Sequence, residues 1–318
     1  MIAIINIAMA KDVQAAVKPR FRGNANMLPR VTLHYPKNLE REYQRITNAY
    51  MALLNRTLAE HLPTIRRAMA QARAGTRHDA YDEYSELIYG MNDVIMDVFM
   101  QIQRDFQRRA RNFNLERRIN TLANSMRQLS VAQWRQLVQT SLGINIIQDY
   151  YMGEFFRNAL DVWTTRNIGL ITSVPQNTLT EVRNIVQESW QQGLINRDIS
   201  SKIQDAYNGN KKRAQFWARD QMAKLNADLS QAQQQDAGCE EYIWSTSGDE
   251  RVRGNPSGLW PHGDHYFLDG KRFKWTDPPQ VAPGRNCHPG EDYNCRCVAL
   301  PVFNLPGLSL PWEGGNTE

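Results

Sequence analysis

Apolar residues recur at helical spacing through much of the first half of the chain. From Leu39 onward they lie three or four positions apart, which predicts an amphipathic helix that bends at Pro63 and ends before Gly75. A second, broader apolar stripe occupies residues 84–126 and predicts one very long helix or two helices in succession. Together these patterns predict an elongated N-terminal helical bundle over residues 38–165.

Local breaks in the pattern predict where these helices begin and end. If the long stripe is divided, the dividing point is at residues 112–114. The run Ser130-Val-Ala-Gln133 is typical of a capping box that opens a helix, and Gly143 is the expected stop of that helix. The bundle is therefore expected to contain a short additional helix ahead of the C-terminal half.

A proline and a glycine divide the helical pattern farther along. The apolar run that starts at Ile168 ends at Pro175, and Asn177 is a suitable N-cap for a new helix behind it. Gly209 predicts the end of one helix and the start of the next. Helices are thus expected over residues 177–238.

After Gly238 the pattern changes from helical to extended. Residues 241–246, 271–275 and 297–303 have the β-branched and aromatic content of strands. They predict a small antiparallel sheet within residues 241–303. The expected fold class is therefore mainly α, with a helical bundle followed by a small C-terminal α+β module.

Neither end of the chain shows a sustained period. Residues 1–37 predict an extended N-terminal arm, and residues 304–318, which are punctuated by proline and glycine, predict a C-terminal tail. The apolar opening, Met1–Ala10, is shorter than a membrane span and lacks the basic flank of a signal peptide. We expect no export signal, no membrane span and folding in a reducing cytoplasm.

Composition places the chain among globular proteins. Its 318 residues are 42% hydrophobic, which is enough for a sizeable core and more typical of two domains than of one. The 38 Lys and Arg residues exceed the 33 Asp and Glu residues, so the net charge is only mildly positive, at +5. This balance does not by itself indicate a nucleic-acid partner.

The distribution of arginine changes that picture locally. One short segment carries six arginines with little acid beside them, and we call this set the arginine strip: Arg104, Arg108, Arg109, Arg111, Arg117 and Arg118. Such a strip can track the phosphates of DNA. The interpretation favoured over DNA is a solvated helix face or a surface that contacts an acidic protein, because arginine-rich helix faces are common without DNA.

Histidine and cysteine concentrate in the last quarter of the chain. His262 and His265 have the two-residue gap of structural metal sites, and Cys295 and Cys297 follow the predicted turn between two strands. The four side chains together predict a zinc site, with Cys287 and His288 as reserve ligands. The alternative is that the cysteines are simply buried and the histidines exposed. Zinc is the only cofactor that the sequence suggests.

The sequence predicts no catalytic residues. The sequence lacks a glycine-rich phosphate loop, a Gly-x-Ser-x-Gly elbow and paired catalytic carboxylates. Asp249 and Arg251 are interpreted as an ion pair that fixes a turn. The strongest enzyme alternative is a metal-dependent nuclease in which His265 or His288 is the base and Asn294 the orienting residue.

The ordered motifs of this last quarter resemble one known family. They are Trp244-Ser-Thr-Ser-Gly-Asp249-Glu-Arg251-Val-Arg253, then His265-x-x-Leu-Asp269-Gly270, then Gly290-Glu-Asp-Tyr-Asn294-Cys295-Arg-Cys297. In this order they resemble the phage head morphogenesis proteins, also called Mu F-like minor head proteins. The resemblance extends more weakly to Asn167–Pro175 and Arg219-Asp220, and it predicts a Mu F-like module over residues 166–303. Many members carry Cys-x-x-Cys where this chain has His262 and His265.

The resemblance implies a structural role rather than an enzymatic one. It implies a minor head protein of the procapsid and virion, associated with the portal region, that serves head morphogenesis and DNA packaging or ejection. The implied partners are the portal protein and other capsid components, with genomic DNA as a further candidate and no small-molecule substrate. The implied location is the virion, after assembly in the host cytoplasm. The alternatives are an interior DNA-binding protein and a metal-dependent nuclease or toxin.

Overall fold

The computed structural model describes residues 13–75, 83–146, 154–191 and 196–310. The fold is mainly α with a small antiparallel sheet near the C-terminus, as the sequence predicts. Residues 13–21 are helical (α1), and the other helices are α2 (Lys37–Gly75), α3 (Glu83–Phe113), α4 (Leu115–Leu142), α5 (Glu154–Gln191), α6 (Asn196–Asp236) and the short α7 (His265–Leu268). The strands are β1 (Asn26–Met27), β2 (Glu241–Ser245), β3 (Arg272–Lys274), β4 (Gln280–Ala282), β5 (Arg285–Asn286) and β6 (Val298–Asn304).

The long apolar stripe is divided into two helices, α3 and α4. Asn114 separates them with a backbone φ of 53°, a left-handed conformation that a helix does not continue through. The predicted capping box at residues 130–133 is wrong, because Ser130 lies inside α4 and its hydroxyl donates to the side-chain oxygen of Gln233, 3.1 Å away. Gly143, with a φ of 78°, follows the last residue of α4 as expected.

Helix α5 runs through Pro175, so the predicted start of a helix at Asn177 is wrong. A proline removes one helical N–H and usually breaks a helix. Here the hydroxyls of Thr172 and Ser173 donate to carbonyls of the preceding turn, at 2.9 Å to Ile168 and 2.8 Å to Leu170. Pro175 itself is buried, so packing supports a helix that the local sequence disfavours.

Helix α6 is likewise continuous where two helices were predicted. Gly209 lies in its interior and does not close it, and a Cβ added at this glycine would meet nothing within 4 Å. The helix ends at Asp236, close to the predicted end at residue 238, and Gly238 follows with a φ of 79°. The expected helices over residues 177–238 are therefore the C-terminal half of α5 and the whole of α6.

The predicted extended arm is wrong over residues 13–27. Val13, Val17 and Phe21 recur every four residues on one face of α1 and are buried. Residues 26–27 then form β1 against the C-terminal strand β6. The apolar spacing in α1 spans only three positions, which is too short for a period to stand out in the sequence. Residues 1–12 of the predicted arm lie outside the described residues.

The sheet has the strand order β1-β6-β2-β3, with antiparallel pairing throughout. Its centre is the pair β2 and β6, in which Tyr242 lies opposite Pro301 and Trp244 opposite Ala299. Tyr242 and Trp244 are fully buried, and alternation along β2 directs both to the same face. Strands β4 and β5 form a separate antiparallel pair. The three predicted strands are confirmed, whereas β1, β4 and β5 were not predicted.

The first residues of the predicted tail, 304–310, are part of the folded structure. Asn304 is the last residue of β6, a 3₁₀ turn follows at Leu305–Gly307, and Leu308 and Leu310 are both 1% exposed. The backbone N–H of Ser309 donates to the carbonyl of Ala237, 3.1 Å away. Residues 304–310 therefore pack with the sheet, which corrects that part of the tail prediction. Residues 311–318 lie outside the described residues.

The chain divides into two compact units. The first contains residues 1–40, 122–163 and 219–318, and the second contains residues 41–121 and 164–218. In the second unit the hydroxyl of Tyr43 donates to the side-chain oxygen of Asn167, 2.5 Å away in the core. The first unit contains the whole sheet. None of the described helices combines the length and the apolar character that crossing a membrane requires.

Candidate functional site

One histidine and two cysteines meet in the interior of the first unit. The Nδ1 atom of His265 lies 3.5 Å from the Sγ atom of Cys295 and 3.7 Å from the Sγ atom of Cys297. We call these three residues the His–Cys cluster. All three are buried, and one ligand atom from each lies within 4.8 Å of the other two. The arrangement brings together three of the four predicted zinc ligands.

Local structure explains how these side chains come together. His265 is the first residue of α7, and the backbone N–H of Tyr266 donates to the carbonyl of Arg253, which holds this helix against the preceding loop. The ring of His265 packs edge-on against Trp244 of β2, with centroids 5.3 Å apart. Cys295 and Cys297 immediately precede β6, and their spacing of two residues places both side chains on one side of an extended segment.

The second nitrogen of His265 faces a buried carboxylate. Its Nε2 atom lies 3.1 Å from Asp292 Oδ2, and the side chain of Asp292 is 1% exposed. Arg253 also donates to this carboxylate, and Arg285 lies 3.2 Å from it. The histidine is therefore fixed on one side by Asp292, which leaves Nδ1 directed at the two sulfur atoms.

Protonation in the cluster is governed by these contacts. Burial alone would lower the pKa of His265, but the hydrogen bond to Asp292 and the contact with Cys295 raise it to about 9. The hydrogen bond from Cys297 lowers the pKa of Cys295 well below its usual value, and His265 adds to this effect. The pKa of Cys297 is raised. Cys295 is thus the thiol that favours the thiolate, the form that binds metals.

The two reserve ligands, Cys287 and His288, lie outside the His–Cys cluster. The hydroxyl of Tyr242 lies 2.9 Å from Nδ1 of His288, and burial lowers the pKa of that histidine. Burial raises the pKa of the Tyr242 hydroxyl, so this group stays protonated. Burial raises the pKa of Cys287 to about 12, so its thiol stays protonated.

His262, the remaining predicted ligand, is exposed and does not join the His–Cys cluster among the residues that the structure describes. Cys239 lies in the link between α6 and β2 and is buried outside the cluster. The sequence therefore identified the region of the cluster but assigned one ligand too many to it.

Asp249 forms its main ion pair with Arg296 and not with Arg251. Its Oδ2 atom lies 3.0 Å from Arg296 but 3.6 Å from Arg251, and the Arg251 side chain is 51% exposed against 13% for Arg296. The backbone N–H of Arg251 donates to Asp249 at 3.1 Å. Asp249 thus ties the loop after β2 to the segment that carries both cysteines. Sequence reasoning missed Arg296 because its partner lies 47 positions away.

The other motif residues hold turns. Asp269 accepts a hydrogen bond from the backbone N–H of Thr246 at 2.7 Å, and the N–H of Gly270 donates to the carbonyl of Trp244 at 2.8 Å. Asn294 has a φ of 51° at the turn before Cys295. Asp292, which fixes His265, was not predicted as a site residue, although it lies three positions before the first cysteine of the cluster.

The arginine strip is only partly free of acidic partners. Arg108 lies 2.6 Å from Asp105, and Arg109 donates to Glu60, so these two charges are partly neutralised. Arg118 packs over the Phe113 ring at 4.5 Å. The remaining three are exposed, and no ion pair is found for them within the described ranges: Arg104, Arg111 and Arg117. Arg118 also has no acidic partner within those ranges, so the strip offers four unneutralised charges and not six.

A cleft of about 690 Å³ lies within the second unit. Its walls include Tyr50, Phe99 and Phe106, and Arg111 and Arg183 contribute positive charge. Among the described residues its lining has no acidic, histidine or cysteine side chain, so it offers no carboxylate, imidazole or thiol for catalysis or metal binding.

The C-terminal segment matches a known family. Residues 180–300 correspond to the family described as "Phage Mu protein F like protein". The Mu F-like assignment of this segment is thereby confirmed. In addition, 141 residues are 40% identical to a protein of Haemophilus influenzae named only "Uncharacterized protein"; the match covers 44% of this chain and 29% of that protein. None of the solved structures matches the chain.

The Mu F-like segment contains the end of α5, the whole of α6, strands β2 to β5 and the first residues of β6. Trp244, Asp249, Asp269 and Asn294 all lie inside it, and each is engaged in packing, an ion pair or a turn. Strand β1 lies outside the matched residues yet pairs with β6. The chain spans about 29% of the length of the Haemophilus protein that it matches.

Proposed function

We propose that this chain is a minor head protein: a structural component of a phage procapsid and virion, present in few copies in the portal region. The observation that carries the proposal is the match of residues 180–300 to the Mu F-like family. The proposed partners are the portal protein and other capsid components. The proposed location is the virion, after assembly in the host cytoplasm.

The use of the motif residues supports a structural role. The Trp244 side chain is buried on one face of the sheet. Asp249 forms an ion pair with Arg296, and Asp269 accepts a hydrogen bond from the backbone N–H of Thr246. None of these side chains borders the 690 Å³ cleft. In this segment the motifs stabilise a fold, which suits a protein that acts through its surface.

Burial of the two candidate bases disfavours the nuclease alternative. His265 is 2% exposed and His288 is 8% exposed, and a ring nitrogen of each is engaged by Asp292 or Tyr242. A general base needs access to the water or hydroxyl that it deprotonates. Asn294 occupies a turn and not a helix that presents a histidine to solvent.

DNA binding is a second candidate, favoured by one face of α3. Arg104, Arg108 and Arg111 are spaced four and three positions apart, so they share a face of this helix, and all three are exposed. A row of arginines can follow the phosphates of a duplex without reading its sequence. This candidate is compatible with a place inside the head, next to packaged DNA.

The deciding experiment removes the gene from a phage that encodes this chain and restores it in trans. We expect the deletion to produce heads that are defective in assembly or DNA delivery, and the full chain to restore infectious particles. Mass spectrometry of purified heads should find the chain in few copies, and heads assembled without the portal should lack it. Fully infectious particles that contain no copy of the chain would overturn the proposal.

A further inference from the structure

We propose that His265, Cys295 and Cys297 bind a structural zinc ion through Nδ1 and the two Sγ atoms, with a water molecule as the fourth ligand. The inference is independent of the role in the phage head. It rests on the geometry of the His–Cys cluster, on the groups that hold His265, and on a small cavity beside the three ligand atoms.

The distances within the cluster are those of a tetrahedral zinc site. Zinc binds histidine nitrogen at about 2.0–2.1 Å and thiolate sulfur at about 2.3 Å, which separates nitrogen from sulfur by about 3.6 Å at tetrahedral angles. In the structure Nδ1 of His265 lies 3.5 Å from one sulfur and 3.7 Å from the other. Both nitrogen–sulfur separations therefore match those of a zinc site, and the two sulfur atoms lie within 4.8 Å of each other.

The surroundings of His265 supply the second requirement. A zinc-binding histidine commonly donates its other ring N–H to a carboxylate, which fixes the tautomer and the ring orientation. Here Nε2 of His265 faces Asp292 at 3.1 Å, and Arg253 and Arg285 balance the charge of that carboxylate. Two thiolates would in turn balance the charge of Zn²⁺.

The space beside the ligands accommodates the fourth position. A cavity of about 30 Å³ is lined by all three cluster residues together with Ser247 and Asn294. The Oδ1 atom of Asn294 is buried and has no hydrogen-bond partner within the part of the chain that the structure describes. A cavity of this size holds a water molecule but no substrate, so the site is structural. The unpartnered oxygen can accept a hydrogen bond from that water.

A zinc ion here would join segments that the chain alone connects only loosely. His265 begins α7, whereas Cys295 and Cys297 lead into β6, and about thirty residues with only short strands β3, β4 and β5 separate them. Because an unfolded chain lacks the preformed site, metal-binding energy contributes directly to folding. The ion would fix the sheet region as one unit.

The test measures metal in the full chain, purified without a histidine tag after expression with added zinc. We expect about one zinc ion per chain by elemental analysis, and loss of that zinc in Cys295→Ser, Cys297→Ser and His265→Ala. Two matched controls, Cys239→Ser and His262→Ala, remove a buried cysteine and an exposed histidine outside the cluster and should keep the zinc.

Two further measurements on soluble protein keep the proposal falsifiable if the ligand variants misfold. The wild-type chain, stripped by a chelator and refilled with Co²⁺, should show the charge-transfer absorption of cobalt–thiolate bonds and the visible bands of tetrahedral cobalt. In competition with a chromogenic chelator, Asp292→Asn should weaken zinc binding about 10- to 100-fold. A wild-type chain that takes up no zinc, or a cobalt form without thiolate bands, would overturn the proposal, as would folded ligand variants that keep their zinc.

Discussion

The carboxylate of Asp220, on α6, accepts a hydrogen bond from the backbone N–H of Asn294 at 3.1 Å. Asn294 stands in the left-handed region, at the turn that introduces the two cysteines of the cluster. Asp220 is 4% exposed and also binds Lys224 at 2.7 Å. A long helix therefore fixes the position of a tight turn in the sheet region through one buried side chain.

Replacing Asp220 tests this connection. Asp220→Ala should reduce the free energy of unfolding by about 2 kcal/mol, because the partly buried backbone N–H of Asn294 loses its acceptor. Asp220→Asn should cost less, since an amide oxygen can still accept that hydrogen bond. Urea unfolding followed by circular dichroism measures both. The control is Asp205→Ala, an exposed aspartate on the same helix that should change stability by less than about 0.5 kcal/mol. Equal effects at both positions would contradict the connection.

The two arginines that face Asp249 should differ in their effects on stability. Arg296→Gln should lower the free energy of unfolding by about 1 kcal/mol, because Arg296 is largely buried and lies 3.0 Å from the carboxylate. Arg251→Gln should cost less than about 0.5 kcal/mol, because this side chain is half exposed and more distant. Thermal or urea unfolding of the two variants measures both losses of stability. A larger loss for Arg251→Gln would restore the pairing expected from sequence.

The same carboxylate predicts a dependence on pH. Burial alone would raise the pKa of Asp249, but the charge of Arg296 and a hydrogen bond from the Arg251 backbone hold it below its usual value. A lowered folded-state pKa gives stability that is present above about pH 4 and is lost as the pH falls through the folded value. The stability gap between the wild type and Asp249→Asn should therefore be full at neutral pH and close in acid. A gap that widens on acidification would be inconsistent with this sign.

Replacing Gly209, inside α6, and Gly238, just after its end, with alanine should change the free energy of unfolding in opposite directions. Gly209→Ala should raise the free energy of unfolding by about 0.5–1 kcal/mol, because the residue is helical and its Cβ enters open space. Gly238→Ala should lower it by more than about 2 kcal/mol, because φ is 79° and the new Cβ would lie 1.9 Å from the Gly307 carbonyl oxygen. Chemical denaturation of the two variants tests whether α6 is continuous. Destabilisation by Gly209→Ala would indicate a break at this point.

The arginine strip should divide into two groups if the chain binds DNA. Alanine at Arg104, Arg111 or Arg117 should each reduce the slope of log affinity against log salt by about one, because each loses a phosphate contact. Arg109→Ala should change the slope less, because Glu60 already neutralises that charge. Fluorescence anisotropy with a duplex at several salt concentrations provides the slopes. Salt-independent or undetectable binding to DNA would contradict this candidate, and the arginine strip would then be interpreted as a contact surface for a protein partner.

The strands that form the sheet's centre were predictable from the sequence, and helix boundaries were less so. Segments such as Glu241–Ser245 are rich in aromatic and β-branched residues, which favour strands, and in the structure every second residue of this strand is buried. Ser130, Pro175 and Gly209 carry the local signals of helix ends, yet all three lie inside helices. Tertiary packing there outweighs a local preference of a few kcal/mol or less.

The sequence predicted where the candidate site lies, but it did not predict which side chains contact each other there. Clustering of histidine and cysteine in the sequence pointed to His265, Cys295 and Cys297, which the structure brings together. Spacing alone could not separate His262 from His265, because only the fold decides which ring faces the interior. The pairing of Asp249 with Arg296 had no signal in one sequence, since residues distant along the chain meet only after folding.

The pairing of β1 with β6 ties the order of synthesis to the order of folding. Asn26 is synthesised long before its partner Asn304, so β1 must wait for all of the intervening residues before it can pair. Such contacts between distant residues form slowly. A fragment restricted to the family-matching residues 180–300 would lack β1 and truncate β6, which exposes an unpaired sheet edge to aggregation. Strand β1 can therefore complete the sheet only after β6 has been synthesised.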